Sequence, residues 1–283
     1  MRTVIKLAGA LLEDDANVRS IARQTALLAK EGHQILVVHG GGRLFTATLK
    51  RMGIESQFLS GLRVTDQETR DIAVMVFAGL LNKRLAAAIC AQGQNAVGIS
   101  GADASCFRAE PMFYGAEERG LGFVGYLTGV NNAFIELLWR EGLIPVAPCL
   151  GIGTDYQLYN INADQMAAAC AEYLGADQLI YLTDVAGVLD GEKVLSAITF
   201  PEIEQLVTTR VVSGGMVLKL EADKRALEGG VHGVRIVGGA ATDSLLLAFR
   251  AAENSIGDDS VNVPGTRVVL QRSSSVQAAV SVS

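Results

Sequence analysis

Three consecutive glycines, Gly40, Gly41 and Gly42, follow His39 directly after an unbroken apolar run at residues 35–38. Glycine lets a backbone approach a ligand closely, and successive N–H groups can converge on an anion. A helix read over residues 43–51 adds the positive end of its dipole, roughly half an elementary charge. A plain strand-to-helix turn needs one glycine, so three in a row point to anion binding.

Two lysines could supply the charge such chemistry needs. Lys6 falls inside the first apolar run, where a lysine is costly unless it faces an anion or snorkels to the sheet edge. Lys219 follows a second glycine turn, Ser213-Gly214-Gly215-Met216, and alone would be an ordinary helix-surface lysine. Together they suit phosphoryl transfer, in which charge builds up on the equatorial and leaving oxygens. Asn160, Asn162 and Asp164 precede a helix. Asn162 reads as its N-cap and Asp164 as a first-turn acid. A functional reading makes Asn160 a ligand contact and Asp164 the anchor of the lysines. Arg63, in G-L-R-V-T, is a loop arginine or a bidentate fork for a carboxylate.

Other glycine-loop chemistries lack their partners. An H-G-G-G oxyanion loop needs a G-x-S-x-G elbow, and the segments around Ser100 and Ser213 have the wrong spacing. Neither a Walker motif nor a G-x-G-x-x-G after a strand occurs. The net charge of −6 argues against a dedicated nucleic-acid binder. Four cysteines without a C-x-x-C pair read as reduced thiols, and three histidines show no metal-ligand spacing, so no protein metal site is expected. The first apolar run is broken by Lys6 and closed by acids, which excludes a secretory or membrane segment. A soluble cytoplasmic protein without membrane contact is expected.

The elements that must position these residues alternate. Strands are expected at residues 3–7, 35–38, 96–99, 143–147, 178–182, 234–237 and 267–270. Helices are expected at 17–31 (closed by Gly32), 43–51, 66–92 (capped by Asp66), 132–141, 163–174, 201–207, 216–228 and 243–250. Residues 106–130 read as hairpins. Hydrophobic residues at 49% are ample for a large core. The alternation implies an α/β fold, an open three-layer αβα sandwich around a mainly parallel sheet.

Nine segments occur in order: V-I-K-L-A-G, V-V-H-G-G-G, G-L-R-V-T, N-K-R-L, N-A-V-G-I-S-G, L-G-F-V-G, Y-N-I-N-A-D-Q, Y-L-T-D-V-A-G-V-L and V-S-G-G-M-V-L-K. Together they resemble the acetylglutamate-phosphorylating branch of the amino acid kinase family, over nearly the whole chain. The resemblance implies an N-terminal lobe, residues 1–174, for the acylamino acid and dimerisation. It implies a C-terminal lobe, residues 175–270, for ATP, with Mg2+ accompanying the nucleotide, and a tail at 271–283. The implied reaction moves the γ-phosphoryl group of ATP to the side-chain carboxylate of N-acetyl-L-glutamate, in arginine biosynthesis.

By the same resemblance, Lys6 and Lys219 stabilise the transition state and Asp164 orients them. Backbone N–H groups of Gly9, Gly41 and Gly42 hold the moving phosphoryl group, and Arg63 and Asn160 bind the substrate's α-carboxylate. The nucleotide site is lined by Asp184, Val185, Ala186, Gly187, Val188 and Leu189, and by Val211, Val212, Ser213, Gly214, Gly215 and Met216. A carboxylate acceptor is already ionised at neutral pH, so no general base is required. Ala8 departs from the family's usual glycine and would strain the loop if its φ were positive. Arginine-inhibited members carry an extra N-terminal helix; this chain starts at its first strand, so a homodimer with weak or no arginine inhibition is expected. A sister kinase for an aminoadipate derivative, free or on an acidic carrier, and a non-catalytic sensor are the alternatives.

Overall fold

Strand β1 (Arg2–Leu7) is buried from its second residue onward, as a central strand covered on both faces must be. The computed structural model describes residues 1–59, 61–114, 119–208, 215–254 and 263–270. Among these, seven further strands join β1: β2 (Gln34–His39), β3 (Ala96–Gly98), β4 (Ile144–Pro148), β5 (Gln178–Thr183), β6 (Ala197–Thr199), β7 (Gly233–Gly238) and β8 (Thr266–Val269). The sheet order is β6-β8-β7-β5-β1-β2-β4-β3. The six strands from β7 to β3 run parallel, and β8 is antiparallel to β7. Lys6 sits in register with Val38 of β2 and Tyr181 of β5.

Helices cover both faces. Helix α1 (Asp15–Lys30) begins at Asp14, whose carboxylate accepts from the N–H groups of Ala16 and Asn17, and ends before Gly32, at φ +89°. Helix α2 (Gly42–Arg51) springs from the glycine turn. Helix α3 (Gln67–Cys90) is capped by Asp66, and its middle, Val74–Leu81, is wound as a π-helix. Its length and composition would let it cross a membrane, but half of its apolar window is buried inside the protein, as in a core helix. Helices α4 (Asn132–Arg140), α5 (Ala163–Leu174), α6 (Phe200–Thr208), α7 (Gly215–Glu228) and α8 (Ser244–Asn254) complete the set. The C-terminal half of α3 packs with α1, and α8 does so from the other side, while α5 and α7 pack together on the opposite face. The architecture is the expected αβα sandwich.

Expected and observed bounds agree closely, and α5 matches at both ends. Several features go beyond the sequence reading. Residues 197–199 form an edge strand, Phe58–Leu59 and Leu62–Arg63 pair as a short hairpin, and the expected hairpin region closes on itself. Phe107–Tyr114, Arg119–Val130, Leu150–Ile152 and Leu158–Ile161 make a small closed barrel. Its last strand leads directly into α5, and so carries Asn160 and Asp164 to the end of the central sheet.

One buried side chain ties the first and last helices of the α1 face. Gln24 has no solvent exposure. Its Oε1 accepts from the backbone N–H groups of Leu245 (3.0 Å) and Leu246 (3.2 Å), which open α8. Replacing Gln24 by Met would keep the bulk and strand two donors, so stability should fall by about 1–3 kcal/mol. Urea unfolding measures this, and an unchanged midpoint would remove the role.

Candidate active site

The chain leaves β1 towards β2 on one side, and leaves β5 towards β7 on the other. Their carboxyl ends therefore flank a topological switch point, where open α/β sheets bind ligands. The loops after β1, β2 and β5 all open at this edge.

Two glycine loops touch there. A Cβ on Gly9 would stand 2.9 Å from the Gly41 Cα and 3.2 Å from the Gly42 nitrogen. Only glycine at position 9 lets the loops approach so closely. Gly41 is closed in from behind, since a Cβ there would lie 2.2 Å from Leu81 Cδ1 and 3.1 Å from the Phe77 ring, both on the π segment of α3. Ala8 has φ −67° and ψ 138°, an ordinary extended conformation, and its N–H donates to the Leu182 carbonyl at 2.9 Å. The departure from glycine at this position therefore costs no backbone strain.

His39 is completely buried behind the turn. Its Nδ1 lies 2.9 Å from the Gly40 carbonyl oxygen and its Nε2 3.2 Å from Asn82 Nδ2, which also donates to the Val146 carbonyl at 2.8 Å. The bond network assigns Nδ1 as the protonated nitrogen, donating to Gly40, with Nε2 accepting from Asn82. Burial depresses the imidazole to a pKa of about 4. His39 is thus a neutral strut for the turn.

Lys6 is buried, and its Nζ meets Asp164 Oδ1 at 2.7 Å. Asp164 occupies the first turn of α5, whose cap Asn162 accepts from the Asp164 (2.9 Å) and Gln165 (3.2 Å) N–H groups. Asn162 thus caps the helix while the Asp164 side chain pairs with Lys6. Cys149 lies beside this pair, with its thiol pushed up to about 12 by burial, so no thiolate nucleophile is present there.

Arg63 and Asn160 come together through Thr65. Asn160 Nδ2 is 3.4 Å from Thr65 Oγ1, and that hydroxyl donates to the Arg63 carbonyl at 2.9 Å. The Arg63 guanidinium lies against the rings of Phe45 (4.8 Å) and Phe58 (4.5 Å). It also donates to Thr46 Oγ1 at 2.7 Å and to Ser56 Oγ. A stacked, half-buried fork of this kind suits a planar carboxylate.

On the other side of the crevice, Asp184, Val185 and Ala186 are exposed after β5, whereas Gly187 and Val188 are buried. The Val188 N–H donates to Thr266 Oγ1 at 2.8 Å, so this segment is tied to β8, and the Val188 side chain belongs to the core. Leu189 starts a two-stranded ribbon with Lys193–Val194. Val211, Val212, Ser213 and Gly214 lie outside the described residues. Gly215 and Met216 open α7, which also carries Lys219, whose side chain lies outside them too.

Sequence reasoning missed two contributors. Asn82, inside N-K-R-L, reads as a helix polar residue, yet it is buried against His39. Arg43, next to Gly42, reaches Asp184 at 3.3 Å and spans the mouth between the two loops. Both groups are exposed, so the pair is weak and easily exchanged for an anionic ligand.

The neutral state of His39 has a consequence for stability. The unfolded chain binds a proton at the ordinary value of 6.5, whereas the folded imidazole resists it to about 4. Stability from this group is complete above about pH 6.5 and is lost as pH falls towards 4, by up to about 3 kcal/mol. Urea unfolding at stepped pH should show that slope, and His39→Gln should flatten it. Equal slopes in both proteins would refute the assignment.

Residues 1–238 match the profile of the amino acid kinase family. The chain is 49% identical over 254 residues to an acetylglutamate kinase of Koribacter versatilis, covering 89% of this chain and 95% of that protein. It is 45% identical over 238 residues to an acetylglutamate kinase of Acidobacterium capsulatum, covering 84% and 90%. Among solved structures it superposes on N-acetylglutamate synthase from Neisseria gonorrhoeae, complexed with coenzyme A and N-acetyl-glutamate, with a TM-score of 0.82. That match is 24% identical and covers 96% of this chain but 60% of the other, so it speaks for the fold alone. Family profile, full-length relatives and site geometry agree: the chain belongs to the amino acid kinase family.

Proposed function

We propose that the chain catalyses ATP-dependent phosphorylation of the side-chain carboxylate of N-acetyl-L-glutamate, the step that activates it for arginine biosynthesis. The observation that carries this reading is the buried Lys6–Asp164 pair beside two touching glycine loops at the switch point. The identity to acetylglutamate kinases over most of their length supports the substrate.

In this reading the Arg63 fork and Asn160 hold the α-carboxylate. The side-chain carboxylate oxygen attacks the γ-phosphorus, an O–P bond forms, and the bond to the β-phosphate oxygen breaks to release ADP. Repulsion between two anions is the obstacle. The N–H groups of Gly9, Gly41 and Gly42 and the Lys6 ammonium meet it on one side, and Lys219 from α7 on the other. Asp164 keeps the Lys6 ammonium aimed. The segment from Asp184 to Leu189 and that from Val211 to Met216 receive the nucleotide.

Mg2+ would arrive with the nucleotide and supply neutralising charge at its phosphates. Among the described residues no cluster of three His, Cys, Asp or Glu side chains is placed to hold a metal, and Asp164 is taken by Lys6. The donor set fits a cation carried by the nucleotide.

The proposal extends to organisation. Residues 1–174 form the acylamino-acid lobe and 175–270 the nucleotide lobe, with β1 and β5 paired across the boundary. Met75 and Leu80, 62% and 57% exposed on α3, give an apolar face that supports an isologous homodimer. The enzyme would work in the cytoplasm.

Hydroxylamine trapping with ATP and N-acetyl-L-glutamate should yield an acyl hydroxamate; none would overturn the reading. Better turnover of N-acetyl-aminoadipate would move it to that substrate. Lys6→Met should lower kcat by about 10²- to 10³-fold, and wild-type turnover would exclude its role. Arg63→Lys keeps the charge but loses the fork, so KM for the acid should rise about tenfold with kcat less affected. An unchanged KM would place the α-carboxylate elsewhere.

A further inference from the structure

A second buried cation lies in the central sheet, away from the crevice. Arg235 stands in β7 between the buried Val234 and Ile236, and only 9% of its own surface is exposed. Tyr181 is opposite both Lys6 and Ile236, so those three share the face that α5 covers. Arg235, one residue earlier, therefore projects to the other face, on which α8 packs against β7.

Directly opposite Arg235, on the antiparallel strand β8, is Arg267. Opposed residues share a face with Cβ atoms about 4.5–5.5 Å apart, and like charges there repel. The row runs from the buried Ile180 through the two arginines to the exposed Ala197 on edge strand β6. The pair is thus reached from the sheet edge. Burial, followed by the charge of Arg267, presses the Arg235 guanidinium down to a pKa of about 10, so it remains a cation at neutral pH.

Other arginines have acceptors. Arg2, Arg23, Arg43, Arg70, Arg84 and Arg250 each join an ion pair, and Arg63 donates to two hydroxyls. Among the described residues neither Arg235 nor Arg267 makes an ion pair or a side-chain hydrogen bond. A buried cation faced by a second cation is costly, and an anion bridging the two would offset that cost.

We propose that Arg235 and Arg267 form a binding site for a phosphate-class oxyanion at the edge of the sheet. Two adjacent guanidinium groups present paired N–H donors, which match phosphate oxygens bidentately. The site is separate from the crevice, because Gly238 at the carboxyl end of β7 lies three residues on, about 10 Å along the strand. Thr266, next to Arg267, accepts from the Val188 N–H at 2.8 Å. The bound anion would therefore sit at the root of the segment proposed to receive the nucleotide.

The test is calorimetric titration with inorganic phosphate, at ionic strength matched by potassium chloride, on wild type, Arg235→Gln, Arg267→Gln and Arg267→Glu, with thermal melting of each. Wild type should bind phosphate and melt higher in it than in the chloride control, and both Gln variants should bind about tenfold more weakly or worse. Arg267→Glu sets a carboxylate against Arg235, so it should melt above wild type without phosphate and gain nothing from it. Glycerol phosphate as a second titrant separates the sources: tighter binding than phosphate assigns a phosphorylated metabolite, and weaker binding assigns the free ion. Equal phosphate binding by wild type and all variants would place the ion at the glycine turn and overturn the proposal. No binding to wild type would do the same, and an unraised melting temperature for Arg267→Glu would show that Arg235 needs no anion. Arg267 is only partly buried, so its variants decide the matter should Arg235→Gln fail to fold. No turnover is measured, so the outcome is independent of the kinase reading.

Discussion

A charged ammonium in the middle of a buried sheet governs much of this molecule. Lys6 can stay there because Asp164 meets it at 2.7 Å, and Asp164 can meet it because a barrel strand delivers α5 to the end of β1. Breaking such a pair leaves an uncompensated buried charge, which is far costlier than the pair itself is stabilising. The barrel, the Asn162 cap and the packing of α5 on the sheet all serve that single alignment. In the proposed reaction its rationale lies in the ligand, since a site for two anions needs a cation that water cannot screen.

The glycine turn at the switch point is shaped from behind as much as from the front. Gly41 is wedged between Gly9 and the Phe77 and Leu81 side chains, and the neutral imidazole of His39 braces the Gly40 carbonyl. The Phe45 ring packs on Phe77 with centroids 5.0 Å apart and also supports the Arg63 guanidinium. One apolar cluster therefore backs both the glycine turn and the Arg63 guanidinium, so the distance between them is set by packed side chains rather than by flexible loops.

The central sheet was legible because residues 35–38 and 179–182 are apolar without alternation, as parallel strands between two helical layers require. Helix α5 was legible at both ends because Asn162 caps its start and Gly175, at φ +59°, its finish. The edge strand Ala197–Thr199 was not, being three residues long with too little pattern to read. Among site residues, Lys6 betrayed itself by polarity in an apolar run. Asn82 did not, and the burial of Asp223 on α7 was equally hidden, because each sits among charged neighbours that read as a solvated helix face. Their burial follows from which way the helix turns, and single-sequence periodicity does not resolve that for one residue. The Ala8 question turned on a single φ angle, which residue type alone leaves open.

The π segment of α3 makes the length of that helix matter. A π turn holds one more residue than the α-helix around it, and so resets the phase of everything that follows. Phe77 and Leu81 press on the glycine turn from within the widened stretch, and Asn82 reaches His39 immediately after it. Deleting one residue anywhere in Val74–Leu81 would restore regular winding and relax the helix. It would also shift Phe77, Leu81 and Asn82 against the turn and the imidazole they support. The helix is therefore held in an uneconomical winding by the residues it must present, and its residue count shapes the turn as much as the glycines do.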